Sequence, residues 1–142
     1  MSAEENKAVV RRYFNAVNAA TANGVTAPDT TALDDLLAPE LATHTRERLI
    51  PNVRAWWGWY RGEIRDMVAE GDKVWVRVFT SGGHTGEWRG LPPTGTSWTN
   101  RGVLFMRLAG GKIVEHTALW DDLNMLQQLG GTITPRQAGS AH

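Results

Sequence analysis

The chain has 142 residues, which is enough for one domain with a substantial core and too few for two. Lys plus Arg and Asp plus Glu both number 15, so no excess of positive charge favours nucleic acid or an anionic membrane as a partner. The absence of cysteine excludes disulfides, thiolate nucleophiles and cysteine-bound metals. The charged first residues lack the apolar core of a signal peptide, and no stretch approaches membrane-spanning length, so a cytoplasmic location is expected.

Amphipathic helices are predicted for the first part of the chain. The start has the spacing of a capping box, and apolar residues recur at helical period over residues 3–20. Residues 21–31 are rich in turn formers and predict a loop, at whose end Thr30 or Thr31 caps a short helix, ALDDLLAP. A second, longer helix is predicted to begin near Pro51. Its apolar stripe consists of Ile50, Val53, Trp57 and Tyr60.

Strands are predicted after Gly62, where apolar and polar residues begin to alternate. Residues 64–68 and 74–79 form a predicted hairpin, and Gly82-Gly83 is expected to bend its second strand before HTGEW resumes it. Two further strands, SWTNRGVLFMRLA and KIVEHTALWD, precede a short closing helix, DDLNMLQQLGG. Because helices come first and strands do not alternate with them, the predicted class is α+β with an antiparallel sheet bent around the first helix.

Six pieces of sequence occur in an informative order and spacing, although each is weak alone. They are KAVVRRYF (7–14), AEGDKVWVR (69–77), HTGEWRGLPPTG (84–95), GGKIVEH (110–116), Asp121 and LQQLG (126–130). Together they resemble the SnoaL-like polyketide cyclase family over nearly the whole chain. Thr117 stands where many members carry tryptophan, and Thr96 stands where many carry a basic residue. These departures bear on the substrate rather than on the fold.

The resemblance implies a cone-shaped fold like that of nuclear transport factor 2, in which a curved antiparallel sheet and N-terminal helices enclose an apolar cavity. It also implies a homodimer formed through the outer face of the sheet. Family members close rings in aromatic polyketide esters by intramolecular aldol chemistry without metal or coenzyme, and cyclase is therefore the predicted function. Two alternatives remain open: a cofactor-independent hydroxylase of an anthracycline-type polyketide, and a non-catalytic module for small-molecule binding or dimerisation. The expected ligand is a hydrophobic small molecule.

Asp121 is the predicted acid–base residue, because it falls on the position of the family's aspartate. By alternation it shares a strand face with Thr117 and Leu119, which would give the carboxylate an apolar setting and contact the substrate. The open alternative is that Asp121 or Asp122 only caps the last helix. His116 is the poorer candidate for the base, because alternation places it on the opposite face.

Five other side chains complete the predicted site. The resemblance makes His84 the second catalytic residue, a donor to a developing enolate oxygen, whereas the alternative is a surface histidine at a bulge. Asn100 can donate to a substrate carbonyl, and Trp98 on the same strand face either covers an aromatic ring or packs in the core. Trp57 fills the core or roofs the cavity, and His44 is expected at the cavity mouth.

No metal or nucleotide cofactor is expected. The four histidines are scattered without the spacing of metal ligands, and no glycine-rich phosphate-binding motif follows any predicted strand. The predicted organisation is a single domain over residues 1–130, followed by a loose tail over residues 131–142.

Overall fold

The computed structural model describes residues 1–135, with most of the helices first and a sheet after them. The elements in chain order are α1 (Ala3–Ala20), α2 (Leu33–Leu36), α3 (Pro39–His44), a π-helical segment (Thr45–Leu49), α4 (Ile50–Trp57), β1 (Tyr60–Glu70), β2 (Lys73–Gly82), β3 (Trp98–Ala109), β4 (Lys112–Trp120) and α5 (Asp122–Gln128). The predicted α+β class, with N-terminal helices packed on a curved antiparallel sheet, is confirmed.

Helix α1 has the predicted bounds and the predicted capping box. The hydroxyl of Ser2 accepts from the backbone N–H of Glu5 at 3.1 Å, and the Glu5 carboxylate accepts from the Ser2 N–H at 3.2 Å. Near its other end, Asn18 exchanges two hydrogen bonds of 2.8 Å with the backbone N–H and C=O of Gly62 in β1. This side chain therefore pairs with the edge strand and fixes the helix across the sheet.

The helices between α1 and the sheet differ from the prediction in where they begin and end. Helix α2 begins at Leu33, and its N-cap residue is Ala32, which provides no side-chain cap. The Thr31 hydroxyl does not cap the helix and donates to Asp29 instead. The longer helix begins at Pro39 rather than near Pro51. Its π-helical segment ends at Leu49, two residues before Pro51, which has no N–H for a regular helical ladder. Tyr60 was wrongly assigned to this helix. Gly58, with a φ of 75°, ends it.

The sheet is an antiparallel meander in the order β1-β2-β3-β4. Strand β1 has an extra residue between Ile64 and Asp66, and the pairing of β3 with β4 shifts register between Arg107 and Leu108. Bulges of this kind bend a sheet. Its inner face packs against the apolar stripe of α1. The buried residues of this core include Val9, Val10, Val17, Val74, Val76, Val78, Leu104 and Met106.

The segment between β2 and β3 does not resume a strand at HTGEW, contrary to prediction. Residues 83–97 are irregular apart from a bridge between Trp88 and Leu91. The backbone N–H groups of Thr85 and Gly86 donate to the Trp56 carbonyl at the end of α4, so they are not available to a neighbouring strand. A second apolar cluster packs beneath this segment, and it contains Val53, Trp57, Trp88, Trp98, Met125 and Leu129.

After α5, residues 131–135 have no regular secondary structure. The remainder of the predicted tail, residues 136–142 with His142, lies outside the described residues. Among residues 1–135, no helix combines the length and the apolar character needed to cross a membrane.

Candidate active site

A cavity of about 410 Å³ lies between the inner face of the sheet and the helices. Its volume falls in the range of sites for small organic molecules. From the described part of the chain, eight aromatic side chains line it: Tyr13, Phe14, Trp56, Trp57, Tyr60, Trp88, Trp98 and Trp120. The tryptophans therefore form the wall of the cavity and do not fill it, and flat apolar walls of this kind suit a flat ligand.

The polar side chains in the wall are few: Asn18, Thr80, Arg89, Asn100, His116 and Asp122. Two of the polar groups near the cavity are already engaged. Asn18 is bonded to the backbone of β1, and the indole N–H of Trp98 donates to the Gly83 carbonyl. The chemistry of the cavity therefore depends on the remaining side chains of this set and on the two tyrosines.

Asn100 offers an amide donor to the cavity. It lies in β3, is 6% exposed, and its side-chain oxygen accepts from Nδ2 of Asn124 at 3.0 Å. Because the oxygen is engaged, the amide N–H groups are the part of the side chain left for a ligand. A carbonyl or enolate oxygen is the matching ligand group.

His116 is the histidine of the cavity wall. It lies in β4 opposite Met106, and its ring meets the ring of Tyr13 edge-on at 5.9 Å between centroids. Burial lowers the pKa of His116 below its ordinary value, and the nearby charge of His44 lowers it further. The imidazole is therefore neutral at pH 7 and can accept a proton from a ligand.

The two cavity tyrosines remain protonated. Burial raises the pKa of Tyr13 to about 12, despite a hydrogen bond with the side chain of Thr45, and burial also raises the pKa of Tyr60. Neither phenol can serve as a base near neutral pH. Both are available as neutral hydrogen-bond donors beside the aromatic wall.

Asp121 does not line the cavity, although Trp120 and Asp122 on either side of it do. One carboxylate oxygen of Asp121 accepts from the backbone N–H of Asn124 at 3.1 Å and caps α5. The other accepts from Nε of Arg101 at 3.3 Å, and the Arg101 side chain is 80% exposed. Asp121 therefore caps α5, which was one of the two alternatives from the sequence. The other alternative, that Asp121 is the base, remains a prediction.

Thr117 and Leu119 lie on the outer face of the sheet, so the prediction that they border the cavity was wrong. Both are exposed, Leu119 by 73%, whereas His116, Ala118 and Trp120 line the cavity. The alternation itself was predicted correctly. Its assignment to a face was wrong because it assumed that the Asp121 side points inward, whereas α1 packs on the His116 side.

His84 is fully buried and does not line the cavity. Its Nδ1 accepts from the backbone N–H of Thr94 at 3.3 Å and is 3.0 Å from that residue's hydroxyl, and its ring lies 5.8 Å from the Trp57 ring. Within the described residues, its Nε2 has no hydrogen-bond partner. His44, also predicted for the site, is exposed at the end of α3 and does not line the cavity.

Of the predicted residues, Trp57, Trp98 and Asn100 are brought together in the cavity wall. Sequence reasoning missed Tyr13, although it falls on the apolar stripe of α1, where a polar tip among valines was the available clue. It also missed Arg89, whose position in an irregular segment gave no indication of its contacts. Within residues 1–135, no cluster of three or more His, Cys, Asp or Glu side chains could hold a metal ion.

A small α+β fold with an aromatic cavity and a few inward polar groups suits the binding of a small organic molecule. The family model of the SnoaL-like polyketide cyclases matches residues 8–129, so the chain belongs to that family, as the sequence motifs predicted. The architecture is consistent with the nuclear transport factor 2-like fold of the family.

Solved structures share this fold at low sequence identity. AclR of Streptomyces galilaeus, provisionally assigned as a hydroxylase, has a TM-score of 0.74 and 23% identity over 91% of this chain and 83% of that one. TsrD of Streptomyces laurentii has a TM-score of 0.76 and 20% identity over 93% and 99% of the two chains. IdmH of Streptomyces antibioticus, provisionally assigned as a polyketide cyclase, has a TM-score of 0.71 and 23% identity over 88% and 98%. No curated protein sequence matches the chain.

Proposed function

We propose that the protein catalyses intramolecular aldol ring closure of an aromatic polyketide-type substrate by proton transfer within the cavity. The observation that carries this proposal is the placement of His116, with its lowered pKa, in an apolar wall that also presents the amide of Asn100. An aldol reaction needs a base and an oxygen-directed donor in a site that is largely free of water. Family membership supports the same reaction class.

The proposed sequence of steps conserves every proton. His116 removes a proton from a substrate carbon flanked by two carbonyls, and the amide of Asn100 donates to the enolate oxygen that develops. The enolate carbon then bonds to a second carbonyl carbon of the same molecule, and that carbonyl becomes an alkoxide. The alkoxide recovers the proton from His116, so the product is an isomer of the substrate with a new ring.

We assign Asp121 to positioning rather than to proton transfer. Its carboxylate is bonded to the start of α5 and to Arg101, and the Asn124 that it caps holds the oxygen of Asn100. Asp121 therefore acts on the cavity through two intervening side chains. The position of Asp121 in the family motif supports the competing assignment, in which Asp121 is the base. Separate substitution of Asp121 and His116 distinguishes the two assignments.

We also assign His84 to positioning. Its contacts with Thr94 hold the loop after Trp88, and its ring supports Trp57 from outside the cavity. The two ends of the loop are further joined by the Gly95 N–H, which donates to the His84 carbonyl at 2.9 Å. A residue in this place shapes the wall that the substrate contacts without contacting the substrate.

The reaction is tested with anthraquinone-type polyketide esters that carry a β-dicarbonyl side chain, incubated without oxygen. We expect a ring-closed product of unchanged mass, and no turnover across several such esters would count against the proposal. The provisional assignment of AclR as a hydroxylase motivates the second candidate reaction, which is hydroxylation. A strict requirement for oxygen, with a product heavier by one oxygen atom, would assign the protein to that reaction instead.

We further propose that the protein is a homodimer formed through the outer face of the sheet. Large apolar side chains remain exposed there, among them Val68, Trp75, Val103 and Leu119. The Trp75 and Phe105 rings lie 4.9 Å apart on neighbouring strands, tilted by 50° to each other, and form an aromatic patch. An exposed apolar surface of this kind is typical of a symmetric interface.

A further inference from the structure

Arg89 has a backbone conformation that its residue type disfavours. Trp88 and Leu91 exchange backbone hydrogen bonds of 3.1 and 2.9 Å, and the two residues between them, Arg89 and Gly90, have φ angles of 48° and 80°. Two positive φ angles define a type I′ turn, whose first central position is usually Asn, Asp or Gly. Arg89 is the only non-glycine residue with positive φ within residues 1–135. A strained residue of this kind suggests a function for its side chain.

The guanidinium of Arg89 lies in the wall of the cavity beside two fixed groups. Its Cζ is 4.7 Å from the centroid of the Trp88 ring, and Nη1 is 3.2 Å from Oδ2 of Asp122 at the start of α5. Both members of the ion pair are about half exposed, so the pair itself contributes little to stability. Among the described residues, Asp122 is the single hydrogen-bonding or ionic partner of this guanidinium, which has five N–H donors.

We propose that Arg89 determines specificity at this cavity by binding an ionised carboxylate of an aromatic ligand whose rings lie against the tryptophan wall. A guanidinium can hold one carboxylate in a bidentate manner while it keeps a contact with another. Among the cavity-lining groups of residues 1–135, all except Arg89 and Asp122 are apolar or neutral at pH 7, so in this part of the chain Arg89 alone supplies a positive charge to such a ligand. The inference rests on the proposed function, since it names the class of substrate that the same cavity accepts.

The test compares two probes that differ in charge and by one methyl group, anthraquinone-2-carboxylate and its methyl ester, titrated at pH 7.5 by quenching of tryptophan fluorescence. In the unmodified protein, we expect the acid to bind at least about tenfold more tightly than the ester, the scale of one charge-assisted contact. This preference should decrease as salt is added, because the Arg89 site is partly exposed.

Two substitutions separate the charge from the backbone strain. Arg89→Asn and Arg89→Gln should both remove the preference for the acid and leave the affinity for the ester within about twofold. Only Arg89→Asn should raise the melting temperature, because asparagine tolerates positive φ and glutamine does not. Asp122→Asn should increase the preference for the acid. Arg107→Gln is the matched control, because Arg107 is also a partly exposed arginine in an ion pair, with Glu115. This substitution should change neither the preference for the acid nor the affinity for the ester.

An equal affinity of the unmodified protein for the two probes, or a preference for the acid that survives both Arg89 substitutions, would overturn the assignment while leaving the proposed reaction intact. Binding of neither probe would overturn both, because the cavity would then not be a site for flat aromatic molecules.

Discussion

His84 provides a sharp test of the difference between a catalytic and a positioning histidine. The side chain is fully buried, and its Nδ1 is the acceptor for the backbone N–H of Thr94. In His84→Ala, the ring and this acceptor are both lost, while the loop between β2 and β3 keeps its other contacts. If the histidine positions the loop, the main effect should be on stability, with a smaller effect on turnover in the folded protein.

The size of the stability effect follows from three contributions. Truncating a fully buried side chain of this size costs about 2–5 kcal/mol of the free energy of unfolding. Leaving the Thr94 N–H without an acceptor costs a further 1–3 kcal/mol or so, and removal of the unpartnered Nε2 relieves a similar amount. The last two contributions cancel, so the net loss is about 2–5 kcal/mol. At about 3 °C per kcal/mol for a chain of this length, the melting temperature should fall by about 6–15 °C.

The assay is urea denaturation followed by tryptophan fluorescence, combined with turnover measured well below the melting temperature. His44→Ala is the matched control, because that histidine is exposed and its removal should change stability by less than about 0.5 kcal/mol. His84→Asn should recover part of the lost stability, since its amide oxygen can accept from Thr94. A His84→Ala protein with unchanged stability and a turnover reduced more than about a hundredfold would refute the positioning role.

Two further predictions concern assembly and pH. Trp75→Glu places a charge in the proposed interface and should convert the dimer into a monomer in analytical ultracentrifugation, whereas a monomeric unmodified protein at tens of micromolar would contradict the dimer itself. Because the folded pKa of His116 lies below its ordinary value of 6.5, the unfolded chain binds more protons in the interval between the two values. The free energy of unfolding should therefore rise with pH up to about 6.5 and then level off. His116→Gln should reduce this slope, and an unchanged slope would contradict the lowered pKa.

The sequence predicted the elements that depend on local patterns. The apolar residues at helical period define α1, and the alternation around Val74–Val78 defines the buried face of β2, because each pattern repeats over many residues. The capping box of Ser2 and Glu5 marks where α1 begins. The π-helical segment and the irregular residues 83–97 could not be predicted in this way. They depend on Pro51 within a longer helix and on backbone contacts with the end of α4, which no local period reveals.

The candidate site was predicted less well than the fold, because alternation groups side chains without saying which group points inward. Thr117 and His116 were placed correctly on opposite faces of β4, and the face was then chosen from the family position of Asp121. The packing of Tyr13 in α1 against His116 shows that the His116 face of β4 points inward. Arg89 was missed because its role depends on a strained turn that places it beside Asp122, far away in sequence.

Paired substitution of His116 and Asp121 shows which of the two accepts the substrate proton, and we expect it to be His116. His116→Gln keeps a polar side chain without a basic nitrogen, so turnover of the polyketide ester should fall by about two to four orders of magnitude. Asp121→Asn keeps a good helix cap and the link to Asn124, so turnover should stay within about tenfold of the unmodified protein. Both variants should bind anthraquinone-2-carboxylate methyl ester as the unmodified protein does. Loss of turnover in Asp121→Asn, with near-normal turnover in His116→Gln, would contradict the assignment and make Asp121 the base.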